Sequence, residues 1–67
     1  MSGEGFAYRL IDTAGSELGI VNDPRSEIGE GEAIELPDAD LVVVVEVYDD
    51  ETGREGGVQA TLVVDIG

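Results

Sequence analysis

The sequence predicts an all-β domain, a small five-stranded antiparallel barrel or rolled sheet that takes up residues 1–67 as one unit. Three observations carry this reading. Apolar residues recur with period two in several segments, the spacing of a strand with one buried face. The apolar set is rich in β-branched residues, with nine Val and five Ile beside five Leu, and these lose rotamer freedom in a helix but pack well on a pleated surface. Clusters of Gly, Pro, Asn and Asp punctuate the chain at short intervals and leave no convincing helix.

The elements follow in order. Residues Met1–Gly5 read as a disordered N-terminal tail. In the segment from Gly5 to Asp12, Phe6, Tyr8 and Leu10 share one face, which fits a half-buried first strand. Thr13 to Glu17 supplies turn chemistry, with Gly15 as the carrier of a positive φ. Leu18 to Val21 returns as a second strand, and Asn22-Asp23-Pro24-Arg25-Ser26 breaks it because Pro24 cannot donate to a ladder. Glu and Ala at 30–35 favour a helix, but Gly29 and Gly31 would each cost about 1 kcal/mol inside one. Period two at Ile34 and Leu36 predicts instead a glycine-bearing turn and a short third strand, closed by a turn at Pro37 to Asp40.

Leu41 to Tyr48 is the strongest strand signal in the chain, and its unbroken apolar start predicts burial on both faces over its first half. Asp49 to Gly57 reads as a long hairpin connection. The last strand runs from Val58 to Ile66, with Val58, Ala60, Leu62, Val64 and Ile66 inward and Gln59, Thr61 and Asp65 outward. An open five-stranded sheet of this length buries too little to offset the entropy of ordering its chain. Closure into an SH3-like or OB-like barrel, or a homodimer that covers an edge or an apolar face, resolves the shortfall.

The stretch Tyr8-Arg9-Leu10-Ile11-Asp12-Thr13-Ala14-Gly15-Ser16-Glu17-Leu18-Gly19-Ile20-Val21 resembles the opening hairpin of PRC-barrel-like and other small SH3-like β-barrel proteins of high-GC or halophilic prokaryotes. That resemblance implies a small barrel and no particular activity.

Composition excludes whole classes of chemistry. Sixteen Asp and Glu against three Arg, with no Lys and no His, give a formal charge of −13. Such a polyanion is repelled by nucleic-acid phosphates and anionic membranes, so no direct nucleic-acid or membrane partner is expected. Without Cys and His there is no thiolate or imidazole for catalysis and no usual zinc ligand, and without Lys there is no Schiff base or P-loop. Carboxylates alone could cut a glycoside, but a chain with three aromatic residues offers little bulk to desolvate one of them. The protein is therefore expected not to be an enzyme and to use no cofactor. The start lacks a basic region followed by an apolar run, and the longest apolar run, Leu41 to Val45, is far too short to span a bilayer. Both features predict a soluble, cytoplasmic protein.

The acids carry the functional expectations. They fall at Glu27, Glu30, Glu32, Glu35, Asp38 and Asp40, and again at Glu46, Asp49, Asp50, Glu51 and Glu55. One reading is a solvated coat that keeps the fold soluble or suits it to high salt. A second is an acidic face that docks a basic protein partner, including mimicry of nucleic acid, with Glu30, Glu32, Glu35, Asp38, Asp40 and the aromatic Tyr48 as the docking residues; an edge strand is the other route to a partner. A third is a divalent-cation site at Asp49, Asp50, Glu51 and Glu55, where a loop could offer several oxygens, although the spacing is not that of an EF-hand. Arg9 and Arg54 are expected to neutralise neighbours such as Asp12 and Glu55. The chain thus reads as a non-catalytic interaction or accessory module, monomer or homodimer, with cation binding or nucleic-acid mimicry as the alternative.

Overall fold

The first hairpin joins β1 (Phe6–Asp12) to β2 (Glu17–Asp23). Asp12 builds its turn. The carboxylate Oδ1 accepts from the Ala14 and Ser16 amides at 2.9 and 2.8 Å, and Gly15 takes the left-handed φ of +88° that the turn requires. Pairing runs from Phe6↔Asp23 to Leu10↔Gly19 and then slips so that Ile11 faces Glu17, leaving Leu18 as the extra residue of a bulge. β2 continues two residues beyond the predicted Val21, and Pro24, which has no N–H to donate, follows its end. These statements come from a computed structural model that describes residues 5–66; the tail expected over residues 1–5 lies outside them, apart from Gly5.

The second hairpin joins β3 (Ala33–Glu35) to β4 (Leu41–Tyr48) through 36–40, where the Leu36 amide donates to the Asp40 carbonyl at 2.7 Å and Ala39 adopts a φ of +76°. Leu36, predicted inside the third strand, belongs to this turn. The connection 49–59 contains one 3-10 turn, Glu55–Gly57, and leads into β5 (Ala60–Asp65).

All five strands form one sheet in the order β2-β1-β5-β4-β3, curled into a half-barrel. The all-β rolled sheet is as predicted, but it is mixed rather than wholly antiparallel, because β1 and β5 pair in parallel from Tyr8↔Ala60 to Asp12↔Val64. The reason is parity. Each of the four connections reverses the chain, so the first and fifth strands run the same way, and side by side they can only be parallel.

One face of the sheet holds the core: Tyr8 and Leu10 from β1, Ala60, Leu62 and Val64 from β5, Val42 and Val44 from β4, Ile34 from β3. At the end of the sheet carrying the hairpin tips, the curl brings the two edge strands together without pairing them. A Cβ on Gly19 of β2 would lie 3.6 Å from the Pro37 ring, and Leu18 and Leu36 line one hollow between them.

The outer face departs from expectation. Only Val42 and Val44 of the first half of β4 are buried, while Leu41, Val43 and Val45 are 72%, 47% and 42% exposed, since no strand or helix among the described residues packs over that part of the outer face. Burial on both faces falls instead to β5, whose outward Thr61 and Val63 are also buried, Thr61 against the 49–59 connection, where its hydroxyl donates to the Gly53 carbonyl at 2.7 Å. Ile66, predicted inward, lies past the end of β5 and is exposed.

Candidate partner-docking groove

Opposite the hairpin tips, the chain between β2 and β3 must travel from one edge of the sheet to the other. Residues 24–32 do this as a strap across the open mouth of the half-barrel. The strap has a single apolar anchor, Ile28, which is 3% exposed and packs into the core. Its polar groups are tied at both ends. Asp23 accepts from Arg25 twice through the guanidinium, Nε to Oδ1 at 2.7 Å and Nη2 to Oδ2 at 2.8 Å, and once through the amide at 2.9 Å. The same guanidinium reaches forward to the Glu32 carboxylate at 3.2 Å and the Ala33 carbonyl at 2.9 Å, so one arginine clasps the end of β2 to the start of β3. From beneath, the Tyr8 hydroxyl donates to the Arg25 carbonyl at 2.7 Å and the Gln59 side-chain Nε2 donates to the Ser26 carbonyl at 3.1 Å.

The titration behaviour follows from the clasp. The hydrogen bonds from the Arg25 side chain hold the Asp23 carboxyl below its ordinary value, and Asp23 in turn raises Arg25. Burial, reinforced by the Asp23 charge, pushes the Tyr8 phenol up. A depressed carboxylate contributes stability that is complete above the unfolded value near pH 4 and is lost as pH falls through the folded value. Asp23→Asn is therefore expected to cost about 1.5–3 kcal/mol at neutral pH, the range for hydrogen bonds to charged groups. The gap to the wild type should narrow below about pH 4. Urea denaturation across that range checks it, and a gap that stays constant down to pH 2 would contradict the assignment.

Between the strap and the end of β4 lies a groove. Its deeper part is a hollow of about 390 Å³ at the barrel mouth, with Val47 and the outermost atoms of the buried Tyr8, Ile28 and Ala60 as its apolar lining and Glu27, Asp49, Arg54 and Gln59 around it. A second hollow of about 350 Å³ shares Glu27, Ile28, Val47 and Asp49 and extends past Glu30 and Glu32. The result is a groove whose accessible apolar wall is Val47, with the buried Ile28 behind it, and whose rim carries Glu27, Glu30 and Asp49, the Arg25-bound Glu32 and the cation Arg54.

The predicted docking residues divide accordingly. Glu30 and Glu32 stand on this rim. Glu35 is exposed on β3, and Asp38 and Asp40 sit in the hairpin turn at the other end of β4, where the Asp40 amide donates to Asp38. Tyr48 faces the outer surface, lining a different hollow with Arg9, Asp50 and Glu55; Glu46 beside its hydroxyl raises its pKa. The four acids predicted for a cation are also divided. Asp49 turns to the groove, Asp50 and Glu55 line the outer hollow, with Asp50 also accepting from the Gly53 amide at 2.9 Å, and Glu51 is exposed in the connection. Among the described residues, no three carboxylates gather closely enough to hold a metal ion.

The arginine pairing differs from expectation. Arg9 lies 3.7 Å from Glu17 across the first hairpin, because Asp12 is engaged by its own turn, and among the described residues Arg54 makes no ion pair. Arg25, to which sequence reasoning gave no role, is the best-connected cation. Its signal was present in Asp23-Pro24-Arg25, where a turn places two opposite charges two residues apart. Ile28 had one too, as a lone β-branched residue in an otherwise polar segment.

In comparisons with known proteins, no family model matched the chain, and no curated protein or solved structure did either. No helix among the described residues is long and apolar enough to cross a membrane.

Proposed function

We propose that this protein is a non-catalytic interaction module that docks a basic segment of a partner protein in the groove between the strap and β4. The observation that supports the reading most directly is the grouping of the carboxylates Glu27, Glu30, Glu32 and Asp49 around a hollow whose accessible apolar wall is Val47. A hollow of 390 Å³ is within the usual size range of a binding site, and its charge complements lysine or arginine flanking an apolar anchor. The clasp of Arg25 and the plug of Ile28 preorganise the strap, so little ordering is left for the moment of binding.

A short peptide of alternating lysine and valine tests this by NMR titration. Amide shifts should concentrate at Ile28, Gly29, Val47 and Asp49, and affinity should fall as salt screens the rim. Shifts spread equally over Glu35, Asp38 and Asp40 at the far hairpin would reduce the acids to a solvated coat.

A further inference from the structure

The groove borders an incomplete strand edge. β3 pairs with β4 only from Glu35↔Leu41 to Ala33↔Val43. One step further, Val44 exchanges backbone hydrogen bonds with Glu32 and Gly31, at 2.8 and 2.7 Å, and there the strap turns away. On its other side β4 continues along β5 through Glu46↔Val63, Val47↔Leu62 and Tyr48↔Thr61. Over Glu46–Tyr48, then, β5 is the only strand partner of β4 among the described residues. The change of partner coincides with the bulge at Val45, which shifts the register and re-aims the strand.

We infer that the docked segment binds as an added β-strand on this free edge, taking up the line that β3 abandons after Val44. The inference rests on the docking reading above and specifies its mode. An extended segment laid beside Glu46–Tyr48 would gain main-chain hydrogen bonds from β4 and set every second side chain above Ile28 and Val47. The lysines or arginines near it would meet Glu27, Glu30, Glu32 and Asp49. The free edge of β2 is a poorer site, since its Leu18 and Gly19 lie against Leu36 and Pro37.

Three forms of the lysine–valine peptide decide the matter: unmodified, methylated on the odd backbone nitrogens, and methylated on the even ones. In an added strand, alternate N–H groups face β4 and the others face solvent. One methylated form should therefore bind about tenfold or more weakly, through lost hydrogen bonds and a steric clash, while the other binds like the parent. In the parent complex the Val47 amide, which alternation turns to the free edge, should also exchange more slowly with deuterated solvent. Equal binding of all three peptides would overturn strand addition and leave groove docking intact. Failure of all three, the unmodified peptide included, would overturn the docking reading itself.

Discussion

Replacement of Gly53 by alanine is expected to destabilise the protein by at least about 3 kcal/mol, at the upper end of what overpacking costs. The reason is a close approach of backbone to backbone. Gly53 is buried under the end of β4, and a Cβ at this position would overlap the Tyr48 carbonyl, a group with no flexible end to swing aside. Relief requires the 49–59 connection to lift away from β4. Lifting it would also strain the 2.7 Å hydrogen bond in which the buried Thr61 hydroxyl donates to the Gly53 carbonyl. At roughly 0.05–0.15 kcal/mol per residue, a chain of this length has only a few kcal/mol to lose. Urea denaturation of Gly53→Ala should show a large fall in midpoint, with Gly57→Ala, whose added Cβ would meet open space and whose cost is that of its left-handed φ of +85° alone, about 1–2 kcal/mol, as the milder comparison. A Gly53→Ala variant within about 1 kcal/mol of wild type would refute the close approach.

The second large effect is at Ile28. Truncation to alanine should cost about 2–4 kcal/mol, the usual range for emptying a buried aliphatic site. The distribution of the damage matters more than its size. Because Ile28 is the only strap residue in the core, its loss should expose the amides of residues 25–31 to hydrogen exchange far more than those of β1 and β5. Val64→Ala provides the contrast, since it removes a buried side chain from a central strand and should weaken protection across the sheet. If Ile28→Ala costs less than about 1 kcal/mol and leaves the strap protected, the Arg25 clasp alone holds it.

How much of this was legible beforehand depends on the range of the interactions. The strands and their turns are encoded locally, and Leu41 to Tyr48 or the Asp12 turn could be read directly from β-branched runs and turn chemistry. Which strand lies beside which is not local. Placing β5 between β1 and β4 is a choice between sheet orders with the same alternation, and it is this placement that gives Thr61 and Val63 their burial and leaves Val43 and Val45 exposed. The candidate groove was half visible. Glu30 and Glu32 stood out as acids, but their grouping with Glu27 and Asp49, and their separation from Asp38, Asp40 and Tyr48, depend on where the strap crosses and on the end of β4 to which it leads. Charge composition names the carboxylates, whereas topology decides which of them can act together.

The position of β5 also governs the order of events during synthesis. The strand that completes the sheet is the last in sequence, and its parallel partner β1 is the first. Until residues 60–65 are available, the two hairpins have no common neighbour, and each alone is too small to persist in water. The contacts that make the fold are therefore those of greatest sequence separation, a topology that slows folding because the loop-closure cost falls due before the stabilisation arrives. A ribosome making this chain would hold two unattached hairpins until its final strand emerged, and the dense negative charge would keep those hairpins apart from their copies on neighbouring chains during the wait.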